Sequence, residues 1–218
     1  MPATTIHFVR HGQVFNPDHI LYERLPGFHL SERGRGMVRA TGRFMAEAPG
    51  FRDIAAVYSS PLDRTRETTA ILLEEINPSR KACGLEPLEP NYDKRLIEAG
   101  NDFRGKRIGR GSGAFWYPSN LKLVLDLSKP SWGESYRQIA RRVSDFVYEK
   151  VGEYPDAQIV AVSHESPIWT FRHLLETGRP EHNMLRRGTA LASVTSITLD
   201  CRSGKVLGIT YADPAAGV

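Results

Sequence analysis

At 218 residues, 40% hydrophobic and 25% charged, the chain has the composition of an ordinary soluble protein and the length of one domain with a sizeable insertion. No apolar run approaches the roughly 20 residues of a membrane span, and an early first strand leaves no space for a secretory signal. The net charge of +4 suits a small phosphorylated ligand, and the distant Cys83 and Cys201 match neither a metal-ligand spacing nor a disulfide framework, so a cytoplasmic protein is expected.

Thr4-Thr5-Ile6-His7-Phe8-Val9 reads as a strand and runs straight into Arg10-His11-Gly12. An irregular stretch holding Asn16-Pro17 and Pro26-Gly27 follows, then a helix over about 31–48 with Ser31 as its N-cap. A second strand over 54–60 is expected to enter a helix at once, with Ser60 capping it and Pro61 at the first helical position. Leu62, Thr65, Thr69, Leu72, Leu73 and Ile76 recur at helical spacing and should face the core. Pro78 and the 84–90 run break that pattern, and 93–98 reads as a short extended segment.

Residues 99–133 are rich in glycine and arginine around one apolar stretch, 121–127. They predict a cap insertion, about 78–133 in all, lying over a site. Tyr136, Ile139, Val143, Phe146 and Val147 mark an amphipathic helix after Glu134. A strand over 158–163 ends at His164, and Ser166-Pro167 reads as a second Ser-Pro helix start. Residues 192–199 and 206–211 read as a terminal hairpin joined through Arg202-Ser203-Gly204-Lys205. The alternation predicts an α/β fold, a three-layer α/β/α sandwich around a mostly parallel central sheet, in a single domain over 1–218.

Open α/β sheets bind ligands outside the carboxyl ends of their strands. Here three strands end in cationic chemistry, at Arg10-His11, at the segment leading to Arg64, and at His164. A phosphate monoester needs several fixed donors, and guanidinium matches its geometry better than ammonium. Arg10 and Arg64 supply them from separate strand ends. His11 is the candidate nucleophile, giving a phosphohistidine that water then hydrolyses. His164 is expected to donate to the phosphoryl oxygens as imidazolium, aided by helix N-termini at Ser60-Pro61 and Ser166-Pro167.

The same residues carry a family resemblance. Arg10-His11-Gly12, the segment Ser59-Ser60-Pro61-Leu62-Asp63-Arg64-Thr65-Arg66-Glu67-Thr68-Thr69-Ala70 and the late Ser163-His164 resemble the histidine phosphatase superfamily, the phosphoglycerate mutase-like proteins. Leu30-Ser31-Glu32-Arg33-Gly34 and Gly133-Glu134-Ser135, with Arg142-Val143 in the following helix, resemble further family segments. The resemblance implies that two arginines and two histidines hold the phosphate, that the first histidine receives it, and that neither metal nor other cofactor takes part. It implies that Glu98, in Leu96-Ile97-Glu98, protonates the leaving oxygen and that Asn16 contacts the phosphoryl group. Gly12 and Glu165 complete the expected phosphate-binding set, although Glu165 stands where the family commonly has glycine. The mutase subgroup's longer insertion is absent, which favours a phosphatase.

Other readings stand beside these. Glu98 has the bland alternative of an ion pair with Arg95 or Arg104, and Asn16 that of a turn residue. His7, His19, His29, His173 and His182 are expected to be structural or superficial. The basic run Arg104, Lys106, Arg107 and Arg110 reads as a solvated loop or as a recruiter of anionic substrate. No aromatic pattern accompanies it, so no nucleic-acid partner is expected. Trp116, Tyr117 and Trp132 would wall the pocket or fill a small insertion core. A cofactor-dependent phosphoglycerate mutase and a catalytically idle phosphate-binding module are the competing functions, and the number of subunits, a homodimer included, is left open.

Overall fold

The computed structural model describes residues 2–51, 53–107, 133–183 and 188–218. Expectations for 108–132, including Arg110, Trp116, Tyr117, Trp132 and the 121–127 stretch, lie outside the described residues. In chain order the elements are β1 (Ala3–Arg10), α1 (Glu32–Glu47), β2 (Ile54–Ser59), α2 (Asp63–Ala82), β3 (Pro90–Tyr92), α3 (Tyr136–Glu153), β4 (Gln158–Ser163), α4 (Glu165–Thr177), β5 (Val194–Asp200) and β6 (Val206–Ala212). Among the described residues the strands form one six-stranded sheet ordered β3-β2-β4-β1-β5-β6. The β3–β2, β2–β4 and β4–β1 pairings are parallel, and the terminal β5–β6 hairpin adds to β1 antiparallel.

The central strands are buried on both faces because helices cover both, as βαβ crossovers require. One core holds Val9, Val57, Val160 and Val162 with Val38 and Met45 of α1 and Leu72 and Ile76 of α2. The other holds Ile6, Phe8, Ile159 and Ala161 with Val143, Phe146 and Val147 of α3 and Phe171 of α4. Side chains such as Ile6, Phe146 and Ile159 are wholly inaccessible. Each contributes about 1.5–3 kcal/mol of burial free energy. The three layers expected from the alternation are therefore present. Among the described residues no helix is long and apolar enough to cross a membrane.

Several local expectations need correction. Ser60 does not cap α2: its N–H is still in the sheet, donated to Val162 O at 3.0 Å, and the helix begins only at Asp63 after an extended Leu62. Pro78 lies inside α2 rather than ending it. The last turns outlast the proline because Asn77 exchanges hydrogen bonds with Leu88 (3.1 and 2.9 Å) and Arg80 Nη1 reaches Ile54 O at 2.9 Å. The segment read as extended over 93–98 contains a 3-10 turn, Lys94–Leu96, because the Asp93 carboxylate captures Arg95 N at 2.8 Å. Of the expected insertion, residues 78–82 thus belong to α2 and 90–92 to the sheet edge, with 83–89 linking the two.

Candidate active site

Strand register builds the site. Arg10 pairs with Ser163 across β1 and β4, so the next residues, His11 and His164, leave neighbouring strand ends together. Their ring centroids lie 5.1 Å apart. The chain then departs to α1 on one face of the sheet and to α4 on the other, which opens a crevice between β1 and β4. On the far side of β4, β2 delivers Ser60 and then Arg64, the second residue of α2.

His11 is 2% exposed and its two nitrogens are distinguished. Nδ1 lies 2.8 Å from the carbonyl of Gly12, which can only accept, so Nδ1 carries the proton. Nε2 then keeps its lone pair and accepts from Arg64 Nε at 3.3 Å. Burial, and then the charges of Arg64 and Arg10, push the imidazole well below its usual value of 6.5. His11 is therefore a neutral imidazole with its free electron pair directed at a guanidinium.

His164 is fully buried, and Nε2 meets Ser60 Oγ at 2.8 Å. Burial, Arg64, His11, Arg142 and Arg10 hold it well below 6.5, in that order. Burial first, and then the surrounding cations, favour a neutral ring in the free site, whereas the imidazolium is expected for the ring held among phosphoryl oxygens. His164 also serves as the extended N-cap of α4, two residues earlier than Ser166-Pro167 suggested. The positive helix ends near the cup are accordingly those at Asp63 and Glu165.

The arginines are anchored and incompletely used. Arg64, 1% exposed, donates from Nη2 to Glu23 O at 2.6 Å and lies under the Tyr22 ring, 4.9 Å from its centroid. Arg10 Nη1 donates to Thr189 O at 2.5 Å and approaches Glu165 Oε1 at 3.5 Å. Arg10 Nε, Arg64 Nη1 and His164 Nδ1 are buried with no hydrogen-bond partner among the described residues. Leaving buried donors unsatisfied costs about 1–3 kcal/mol each. Arg10 and Arg64 both act on His11 and His164, so their unsatisfied nitrogens, together with His164 Nδ1 in the tautomer that protonates it, suit a bound oxyanion.

Gly12 contributes differently from expectation. Its N–H goes to Thr68 Oγ1 at 3.3 Å, its carbonyl fixes His11, and a Cβ there would stand 2.5 Å from Gly34 O. Asn16 is a loop residue: its amide nitrogen donates to Ile20 O and its amide oxygen accepts from Ile20 N. Both polar ends of the Asn16 side chain are thereby spent locally, which is the turn reading of that residue. Glu98 makes neither ion pair weighed for it, because Arg95 pairs with Asp93 and Glu149 and Arg104 with Glu23. Glu98 Oε1 accepts from Ala99 N at 2.8 Å, and its charge acts on both Arg64 and Tyr22.

Composition and motif spacing gave no sign of Tyr22 or Glu23, which sit in the irregular 12–31 stretch. Tyr22 stacks on Phe28 at 5.1 Å and covers Arg64. Burial raises both the Tyr22 phenol and the Glu23 carboxyl. Arg142 forks onto Glu134 at 2.8 and 3.1 Å, and Glu134 also receives Arg24 Nη2 at 3.0 Å. Arg24 in turn donates to Glu98 O at 2.8 Å, so the Gly133-Glu134-Ser135 turn braces the loop that presents the acid. Among the described residues no three His, Cys, Asp or Glu side chains group as a metal site.

Comparison with known proteins agrees with this geometry. The family model of the histidine phosphatase superfamily (branch 1) matches residues 6–211. The uncharacterized protein Rv0525 of Mycobacterium tuberculosis strain H37Rv is 40% identical over 99% of this chain and 100% of its own length. The 2,3-bisphosphoglycerate-dependent phosphoglycerate mutase of Thermoplasma acidophilum is 26% identical over 91% of this chain and 88% of that one. The native structure of mycobacterial glucosyl-3-phosphoglycerate phosphatase Rv2419c superposes with a TM-score of 0.72 at 24% identity, covering 97% of this chain and 99% of that chain. With a paired His11 and His164 flanked by Arg10 and Arg64, and a family match across nearly the whole chain, the protein belongs to the histidine phosphatase superfamily.

Proposed function

We propose that the protein hydrolyses phosphomonoesters without a metal, through a phosphohistidine on His11 Nε2. The observation that carries this reading is the cup of unsatisfied donors, Arg10 Nε, Arg64 Nη1 and His164 Nδ1, around a neutral buried imidazole. The substrate dianion docks its oxygens on these atoms, with Ser60 Oγ–H donating to His164 Nε2 so that Nδ1 bears the proton. His11 Nε2 attacks phosphorus as the ester P–O bond breaks, and Glu98 delivers a proton to the departing alcohol oxygen. Water, deprotonated by Glu98, then attacks phosphorus, the P–N bond breaks, and inorganic phosphate leaves. Throughout, the Gly12 carbonyl holds Nδ1–H and stabilises the positive charge that develops on the ring.

The kinship with a named phosphatase structure and a named mutase sequence supports phosphoryl transfer as the chemistry class. In the mutase reading the phosphohistidine returns its phosphoryl group to a second hydroxyl instead of to water. The two free thiols, Cys83 and Cys201, are in keeping with a reducing cytoplasm. An aryl phosphate assay in excess chelator, run beside an assay for 3-phosphoglycerate isomerisation with and without bisphosphoglycerate, tests the assignment. Full ester hydrolysis in chelator without isomerisation is expected. Activity lost to chelator and restored by a divalent metal, or isomerisation exceeding hydrolysis, would overturn it.

A further inference from the structure

Arg64 is a buried charge that is held without being neutralised. Burying a lone charge is costly, and other arginines of this protein avoid it with carboxylates: Arg24 and Arg142 pair with Glu134, and Arg95 with Asp93 and Glu149. Arg64, 1% exposed, makes no carboxylate ion pair among the described residues. Its partners are neutral instead. Nη2 donates to the Glu23 carbonyl at 2.6 Å, Nε to His11 Nε2 at 3.3 Å, and the guanidinium carbon lies 4.9 Å from the centre of the Tyr22 ring. Nη1 is buried without a hydrogen-bond partner among the described residues.

Tyr22 and Glu23 are consecutive, so one short piece of the 12–31 loop grips the guanidinium through two contacts. That piece is fixed on each side. Glu23 has a left-handed backbone, φ 37°, which is uncommon outside glycine, and Leu21 exchanges backbone hydrogen bonds with Lys106 and Gly105 at 3.0 and 2.9 Å. The Tyr22 ring itself stacks on Phe28 with centroids 5.1 Å apart. An aromatic face attracts a cation through its quadrupole and carries no net charge of its own. A carboxylate in that place would compete with a phosphate dianion for the same guanidinium. Burial raises the Tyr22 phenol above its usual value of 10, so the ring stays neutral throughout the pH range of an assay.

We propose that Tyr22 is a positioning residue for the phosphate site: its ring holds the Arg64 guanidinium against His11 while leaving the positive charge free for the dianion. The inference rests on the phosphomonoesterase reading and adds a residue that acts through Arg64 rather than on the substrate.

Inorganic phosphate is the probe, with its Kd measured by calorimetry and the titration of His11 followed by NMR of histidine-labelled protein. His11 faces Arg64 of α2, Arg10 of β1 and the ring of His164 after β4. Tyr22→Leu, which keeps apolar bulk without the ring, is expected to weaken phosphate binding by about tenfold. It should also move the His11 midpoint upward toward 6.5, because burial and Arg64 are the first two causes of its lowering. Tyr22→Phe should restore both properties, since it keeps the ring. In an Arg64→Lys background, Tyr22→Leu should change the Kd by no more than about twofold, because the group it acts through is gone. Wild-type Kd and midpoint in Tyr22→Leu, equal losses in Tyr22→Phe, or an undiminished loss in the Arg64→Lys background would each overturn the inference. Phe28→Leu removes only the stack behind the ring and covers the case in which Tyr22→Leu does not fold. It should weaken phosphate binding by about threefold, and an unchanged Kd there overturns the inference.

Neither readout needs turnover. A protein that shows this pattern yet hydrolyses no phosphomonoester would refute the hydrolase reading and leave the inference standing. One that hydrolyses esters while its phosphate Kd ignores Tyr22 would do the reverse.

Discussion

In the proposed mechanism His11 is reactive because of what touches it. The Gly12 carbonyl fixes the proton on Nδ1, and burial beside Arg64 and Arg10 makes protonation of Nε2 unfavourable. A nucleophile must be unprotonated, so a lowered pKa extends activity to acid: the neutral fraction falls only once the pH drops well below 6.5. The acid limb of kcat/KM, corrected for the substrate's own ionisation, should therefore lie below pH 6.5, and a limb centred at or above that value would contradict the burial argument. Glu98→Gln should slow alkyl phosphates roughly a hundredfold or more and aryl phosphates much less, because only the poor leaving group needs its proton. Equal slowing of both, measured as kcat, would remove Glu98 from that step. The two histidines and two arginines were legible as residues because each follows a strand or opens a helix within a recognisable motif. Their protonation in the free site was not, since it depends on burial and then on the cations the fold packs around each ring, and those are tertiary properties.

At the scale of elements, register does most of the positioning. The parallel β1–β4 and β2–β4 pairings were foreseeable from three apolar strands separated by helices, and they bring His11, His164 and Ser60 together. The role of Ser60 was not foreseeable, because a Ser-Pro pair reads as a helix start whether or not the hydroxyl has a tertiary partner. The loop over 12–31 also depends on close backbone approach. It is closed by the Val14–Leu30 bridge, and its base lies so near α1 that a Cβ on Gly34 would be driven into the Gln13 carbonyl. Gly34→Ala should cost about 1–3 kcal/mol of stability and shift the loop that carries Tyr22 and Glu23. Chemical denaturation should show the loss, and unchanged stability with unchanged kcat/KM would mean that the loop relaxes freely.

For the whole molecule, the sheet divides the labour between its faces. α1 and α2 close one core, and α3 and α4 close the other. The crevice at the sheet's carboxyl edge is left for chemistry, and the α/β class was therefore readable from alternation alone. The course of the chain after α2 was less so, because Pro78 looks like a breaker although α2 continues to Ala82, and Pro90 at the end of the 84–90 run opens β3, which pairs with β2. Composition alone could not show how the modest net charge is arranged, with Arg64 buried beside His11 and Arg10 facing Glu165. The proposed mechanism passes the phosphoryl group through His11. Rapid mixing with a radiolabelled aryl phosphate, followed by an alkaline quench that preserves phosphohistidine and by peptide mapping, tests this most directly. Label on the peptide bearing His11 is predicted, together with its disappearance and a loss of turnover of roughly a thousandfold or more in His11→Ala. Label on another residue, or a His11→Ala protein that still turns over, would contradict the account.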